Sequence, residues 1–515
     1  MSEFNLIDEP WIPCIDMTNR KKKFGIRDAF INAHKLQEVH DNSPLVTLSI
    51  HRLLLAILYK AWEGPHNNAE WRKLYKKGQI EASAINKYLG KWYKRFFLFD
   101  DNYPFYQMGN FETDKPVSVT RLANELASGN NPTLFDHSND ELDHAWPFDV
   151  AVRNLVAHQV FALGGGKGTA ATINGATEMR PNLSDGIAVR GINVWLQGDN
   201  LFETLLINLS TIDKDSTPPW EMDDPNKYRD KLLSDNKTTF PSFGIVDRLT
   251  WQSRLIKLIP EGKKVSKMYF TQGRSADKSS GDFMKAYIND KKEGTKALTL
   301  SRSKAAWRDS HTILFIPEEG SKERRPECFN LLDNAKEYEI IDNNKLYVTN
   351  IVGLASATSK AAKVLLWRHE KLPVPASLAT NADLVERLGS LIKNSENAAG
   401  HLKGRTYKIA TTYLTPYPDT ATKNDLMERD IKNLANAIDP CPAFWANLEH
   451  HFLLLISMLS DDKESATFSW YKSVKHEAQI ALEKSINLLG TTARALRATA
   501  RIRTNFTDSD IGLKE

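Results

Sequence analysis

Apolar residues Leu45, Leu48, Leu53, Leu54, Ile57 and Leu58 recur at close to helical spacing behind Pro44, with Asn42 or Ser43 in place to cap the first turn, and predict a buried helix from Leu45 to Trp62. A second helical stretch, about Ile85 to Phe97, sets Lys87, Lys91, Lys94 and Arg95 among aromatic residues, as a phosphate-facing surface or a solvated helix face. Between roughly 185 and 375 the pattern shortens to runs rich in Val, Ile, Thr and Phe, such as Gly186 to Val194, Thr312 to Ile316 and Leu346 to Val352. Gly, Asn, Asp and Pro separate them, which predicts short strands in small sheets. Within this region Thr271 to Gly281 is polar and without periodicity, so a mobile loop displaying Arg274 and Lys278 is expected.

After Leu372-Pro373-Val374-Pro375 the pattern becomes almost uniformly helical. Leu384, Leu388, Leu391, Ile392 and Leu402 form one stripe, and Leu426, Ile431, Leu434 and Ile438 a second. Phe444, Leu448, Phe452, Leu455, Ile456 and Leu459 form a third, and Val474, Ala478, Leu482, Leu488, Leu489 and Leu496 a fourth. The expected fold is therefore α+β: a large mixed N-terminal domain with small sheets over 1–374, followed by a C-terminal four-helix bundle over 375–515. In the last predicted helix Arg494, Arg497 and Arg501 fall on one face, in line with Lys484 and Thr491, as a phosphate-binding stripe or a solvated face near a helix C-terminus.

Composition narrows the class. A chain of 515 residues, 41% hydrophobic and 26% charged, suits a globular protein of two or more domains and excludes fibrous and disordered classes. Net charge is only +4, so any nucleic-acid binding must rest on local basic clusters. Cys14, Cys328 and Cys441 lie far apart and form neither a disulfide framework nor a zinc-ligand pair, as expected of a reducing cytoplasm. The N-terminus lacks a signal-peptide pattern and no continuous apolar run reaches membrane-spanning length, so a membrane location is not expected.

The sharpest chemical feature is Gly164-Gly165-Gly166-Lys167-Gly168-Thr169, where backbone free of side chains is able to approach an anion. A Walker A loop fails on spacing, because Phe161 stands where its first glycine belongs and Gly168 follows the lysine. A dinucleotide fingerprint on Gly166, Gly168 and Ala171 needs a helix next, whereas Asn174-Gly175 and Arg180-Pro181-Asn182 break one. His40-Asp41 is too little for a metal-dependent hydrolase. Phe135 to His144 places two histidines among acids and reads as a cation site or an exposed docking loop. No nucleophile elbow or His-Glu-x-x-His occurs, so no catalytic residue, metal or cofactor is expected.

Several separated motifs together resemble one family, the CasA-type large subunits of the type I-E CRISPR surveillance complex, Cascade. Asn5-Leu6-Ile7-Asp8-Glu9-Pro10-Trp11-Ile12-Pro13 is similar to the family's N-terminal signature, and Asn131-Pro132-Thr133-Leu134-Phe135-Asp136-His137 to the start of its docking loop. Leu163-Gly164-Gly165-Gly166 resembles its glycine loop, Val189-Arg190-Gly191 its following strand, Leu249-Thr250-Trp251-Gln252 a later landmark and Trp367-Arg368-His369-Glu370 the close of the first domain. The resemblance implies a cytoplasmic, non-catalytic protein that reads the protospacer-adjacent motif (PAM) of double-stranded target DNA from the minor groove while guide crRNA reads the rest. Its implied partners are the backbone, small, 5′-handle-capping and crRNA-processing subunits and a helicase-nuclease.

By the same resemblance Gly164, Gly165 and Gly166 approach the duplex, Lys167 adds a phosphate contact, and Arg274 or Lys278 is the inserting cation. The family's wedge falls at Ser359 to Lys363, with Ala361 in place of a glutamine, so that Lys360 separates the strands or the motif is read differently here. Leu134, Phe135 and His137 dock on the guide-RNA handle and neighbouring subunits, and Arg494, Arg497 and Arg501 contact DNA or a small subunit. The rival readings are a metal- or nucleotide-dependent nucleic-acid hydrolase and a purely architectural RNA-complex subunit.

Overall fold

The computed structural model describes residues 4–124, 145–173, 175–212, 216–222, 239–277, 281–301, 303–318, 320–356, 364–415, 425–500 and 502–513. The chain forms two compact units. The first comprises Met1–Ala306, Pro317–Asp342 and Tyr347–Leu372; the second comprises Trp307–Ile316, Asn343–Leu346 and Pro373–Glu515.

The first unit is built around the helix Pro44–Trp62. Ser43 caps it, its hydroxyl accepting from the Val46 amide at 3.4 Å, and Pro44 supplies a preset first turn. The helix stops at Glu63, which adopts a left-handed φ of 52°. Its residues from Pro44 to Tyr59 are all buried, polar ones included, as expected of a helix walled in on every side. Among the described residues it is also the one helix long and apolar enough to cross a membrane, but its burial marks it as core. Arg52 sits within it with no exposed surface, ion-paired to Asp282 at 2.8 Å and donating to the Arg248 carbonyl at 2.7 Å.

The first unit also carries small sheets, most of their pairings antiparallel, as the short hydrophobic runs predict. Ile12–Asp16 runs between Lys21–Phe24 and Leu36–Val39, and Leu346–Ser356 between Asn193–Gln197 and Val364–Pro375. The longest ladder is the hairpin of Arg254–Glu261 with Lys264–Gln272, whose register pairs Arg254 with Gln272. Two expectations fail. Thr312 to Ile316 is not a strand: Ser310–Leu314 is helical and lies in the second unit, where the adjoining Trp307 stacks on Phe452 at 4.6 Å and Arg308 pairs with Glu396 at 2.6 Å. Packing overrides the β-branched preference there. Val189-Arg190-Gly191 is likewise a turn, because Gly191 takes φ +109°, and the strand begins at Asn193.

The second unit is the expected helical bundle: Ala382–Leu414, Asp425–Ala437, Cys441–Met458 and Lys463–Asn487, followed by the short Ala493–Ala500. Asn381 and Asp462 cap the first and fourth of these, accepting from the Leu384 and Ser465 amides at 3.2 and 3.0 Å. The fourth apolar stripe does not lie on one helix. Gly490, at φ +73°, turns the chain between Asn487 and Ala493, so Lys484 and Thr491 do not continue the line of Arg494 and Arg497.

Candidate nucleic-acid interface

The glycine run leaves the buried helix Phe148–Phe161 and lies against residues 180–186 as an irregular two-stranded ribbon. The Gly165 amide donates to the Leu183 carbonyl at 2.8 Å and the Leu183 amide to the Gly166 carbonyl at 2.9 Å. The Gly164 amide donates to Asp185 Oδ1 at 2.8 Å and the Gly168 amide to Asn182 Oδ1 at 3.2 Å. The backbone expected to be open to a ligand is therefore largely engaged by the protein itself. A Cβ at residue 164 would stand 2.9 Å from the Asp185 nitrogen, and one at 168 only 1.7 Å from the Arg180 carbonyl oxygen, so these glycines are required by close packing.

Gly165 differs. Its amide is spent on Leu183, but it is exposed and holds φ +94°, a conformation that L side chains rarely adopt, so a bare Cα stands at the surface. Lys167 is exposed two residues on. Two further exposed cations, which sequence reasoning missed, stand nearby: Arg121, whose Nη2 is 3.8 Å from where a Gly166 Cβ would lie, and Arg190, ion-paired to Asp185. Arg121 is about forty positions away in the chain, so only the fold brings it here. Next comes the hairpin of Ala170–Ile173 with Ala176–Met179, where a dinucleotide site would need a helix.

The ribbon is held from behind by Arg254, which is 1% exposed. Its Nη2 donates to the carbonyls of Leu163 at 2.7 Å and Ser184 at 2.8 Å, and its Nη1 to the Ser253 carbonyl at 2.8 Å and Gln272 Oε1 at 3.1 Å. Burial, with help from the charge of Arg121, pulls this guanidinium down to about 9, still cationic at neutral pH. Gln272 adds a second clamp, accepting from the Ser184 amide at 2.8 Å and donating to the Ser184 hydroxyl at 2.8 Å. Thr271 and Gln272, expected in a mobile loop, are thus the end of a strand supporting the glycine ribbon.

Arg274 does not serve as an inserting cation. It is 4% exposed, bonded to both Asp247 carboxylate oxygens at 2.6 and 3.2 Å, and laid 3.7 Å over the Trp251 ring. The rival cation, Lys278, lies outside the described residues, as do Lys360, Ala361, Leu134, Phe135, His137 and Arg501. In the second unit Arg494 donates to the Tyr413 and Leu414 carbonyls, closing the C-terminal end of Ala382–Leu414, while Arg497 is exposed. Among the described residues no group of three or more His, Cys, Asp or Glu side chains is placed to hold a metal ion. The three thiols are buried, and burial raises each to about 12.

The profile of the family described as CRISPR-associated protein Cse1 matches residues 5–481. The CRISPR-associated protein CasA/Cse1 of Thermus thermophilus is 31% identical over 514 residues, covering 98% of this chain and 97% of that protein. The solved structure of Thermus thermophilus CasA (Cse1) superposes with a TM-score of 0.80 at 27% identity, covering 99% of both chains. A chain of a CRISPR RNA-guided surveillance complex shares the fold, with a TM-score of 0.76 at 19% identity over 98% of this chain and 99% of that one.

Proposed function

This chain belongs to the CRISPR-associated Cse1 family, and from that premise we propose that it is the non-catalytic large subunit of a type I-E CRISPR RNA-guided surveillance complex, Cascade. In this reading it recognises the PAM of double-stranded DNA, promotes strand opening and R-loop formation, and presents the complex to a helicase-nuclease. Guide crRNA and the other Cascade subunits are its partners. The observation that carries the DNA-reading role is Gly165: a bare Cα at the surface, flanked by the exposed cations Lys167 and Arg121. A groove wall is able to close on such a surface while the cations meet phosphates on either side. Contact by backbone in the minor groove reads a degenerate pattern, which suits tolerance of more than one PAM. Lys360, on the segment joining Leu346–Ser356 to Val364–Pro375, is the proposed strand separator.

Purified protein incubated with ATP, or with DNA and divalent metals, is expected to show no turnover. Turnover abolished by Lys167→Ala or His137→Ala would establish the hydrolase reading instead.

The two described arginines of the C-terminal stripe are expected to separate by experiment. Arg494→Met removes a carbonyl cap and should lower the unfolding midpoint of the bundle, at a cost of about 1 kcal/mol, without altering the salt dependence of DNA binding. Arg497→Ala should leave the midpoint unchanged and flatten log K against log salt by about 0.9, one phosphate contact's share. An unaltered slope for Arg497→Ala assigns it to solvation alone.

A further inference from the structure

Asn350 on the strand Leu346–Ser356, and Trp367 and His369 two positions apart on Val364–Pro375, line a cavity of about 320 Å³ within the first unit. That volume is at the small end of ligand sites, which span roughly 300–1,000 Å³. The back wall is aromatic: His369 stacks on Trp195 at 5.7 Å with an interplanar angle of 19°, and His51 meets the same indole at 5.9 Å. Trp367 also lines the cavity yet is 38% exposed, a large apolar face left in contact with solvent.

The polar groups are placed as in a built site. His369 Nε2 lies 2.8 Å from Asn350 Oδ1, and the Asn350 amide donates to the Val348 carbonyl at 3.2 Å. His51 is 4% exposed and lines the cavity, so its imidazole is a polar group at the cavity wall. The polar edge of a ligand entering the cavity would meet this imidazole.

The charges at the rim are already matched. Glu38 is met by Lys371 at 3.4 Å and by His40 at 3.4 Å, and Asp41 by Arg153 at 3.0 Å. Burial lowers both His51 and His369 to about 4, the latter with help from Lys371, so both rings are neutral at pH 7. Nothing here selects a phosphate. The site offers a flat aromatic face, neutral donors and acceptors, and a closed back wall, which is the chemistry that captures a planar neutral heterocycle.

We infer that this cavity receives a single unpaired nucleobase, stacked on Trp367 with its polar edge toward His51. The inference rests on the duplex-opening reading above and adds to it a place where an extruded base is held. Trp367 is the fourth residue of its strand and seven positions along the chain from Lys360, so the cavity lies close in sequence to the proposed strand separator.

The test is an abasic scan. The assembled complex is titrated with target duplexes in which one base at a time, on either strand beside the PAM, is replaced by an abasic site. For the native protein one position on one strand should lose roughly tenfold in affinity beyond its neighbours, the scale of one aromatic stack. With Trp367→Ala that extra penalty should vanish, and Trp367→Phe, which keeps an aromatic face, should restore part of it. A scan whose profile is the same in the native protein and Trp367→Ala overturns the proposal, as does failure of Trp367→Ala to assemble, which would assign the cavity to a partner subunit. Preference for PAM-containing over PAM-mutated duplex is read in the same titrations. If that preference is absent from the native complex, the PAM-reading function itself fails, a result separable from an unchanged abasic profile.

Discussion

Arg254→Met is expected to destabilise the first unit by about 3 kcal/mol and, where the protein remains folded, to weaken DNA binding by its complex. The methionine fills much of the same volume but leaves the carbonyls of Leu163 and Ser184 without the donor they now share, while the Ser253 carbonyl keeps the Gly273 amide and Gln272 Oε1 the Ser184 amide. Each buried acceptor stranded in this way costs roughly 1–3 kcal/mol, partly offset because a desolvated cation is removed as well. Leu163 and Ser184 flank the two sides of the glycine ribbon, so losing their common donor also frees the ribbon to shift. Denaturant unfolding reads the first effect and duplex titration the second. Arg254→Lys keeps the charge but cannot reproduce the two-pronged fork, and should fall between. Native stability in Arg254→Met would mean that the clamp is dispensable.

Gly165→Asp should weaken binding of the assembled complex to target duplex by about a hundredfold, or 2.7 kcal/mol, while assembly proceeds normally. Two effects add. A φ of +94° disfavours any side chain, at about 1–2 kcal/mol, and the carboxylate places negative charge where phosphates are expected to approach. Gly165→Ala carries the first effect alone and should lose only about tenfold. Equal losses for the two variants would assign the whole effect to backbone strain, and no loss in either would remove the loop from the interface.

Much of the architecture was legible because it is set locally. The buried helix with its Ser43-Pro44 start, the helical bundle after Pro373, and the break after Gly168 all follow from period, caps and turn residues. The misses share a cause. Thr312 to Ile316 carries a strand-like composition but is folded as a helix by aromatic packing around Trp307, a contact made across more than a hundred residues of chain. Arg274 looks exposed in a polar segment, and only Asp247 and Trp251, brought up by the fold, reveal it as a buried ion pair over an indole. The line from Lys484 to Arg494 crosses Gly490, whose positive φ ends the helix, so the two cations do not share one helix face.

The candidate site was half visible. Glycine density marked the ribbon, yet sequence does not distinguish glycines that pack against their own protein, such as Gly168, from the one that faces outward. Arg254 carried a faint signal, a cation among Leu255, Ile256 and Leu258, which a buried strand tolerates only when the charge is hydrogen-bonded. Arg121 carried none.

The most direct test measures the affinity of the assembled complex for two duplexes that differ only in the PAM, with the native chain and with Gly165→Asp. The native complex should prefer the PAM-containing duplex by at least tenfold, and the variant should bind both weakly with the preference collapsed toward unity. A variant that binds more weakly but keeps the full native preference would contradict the claim that this loop reads the PAM.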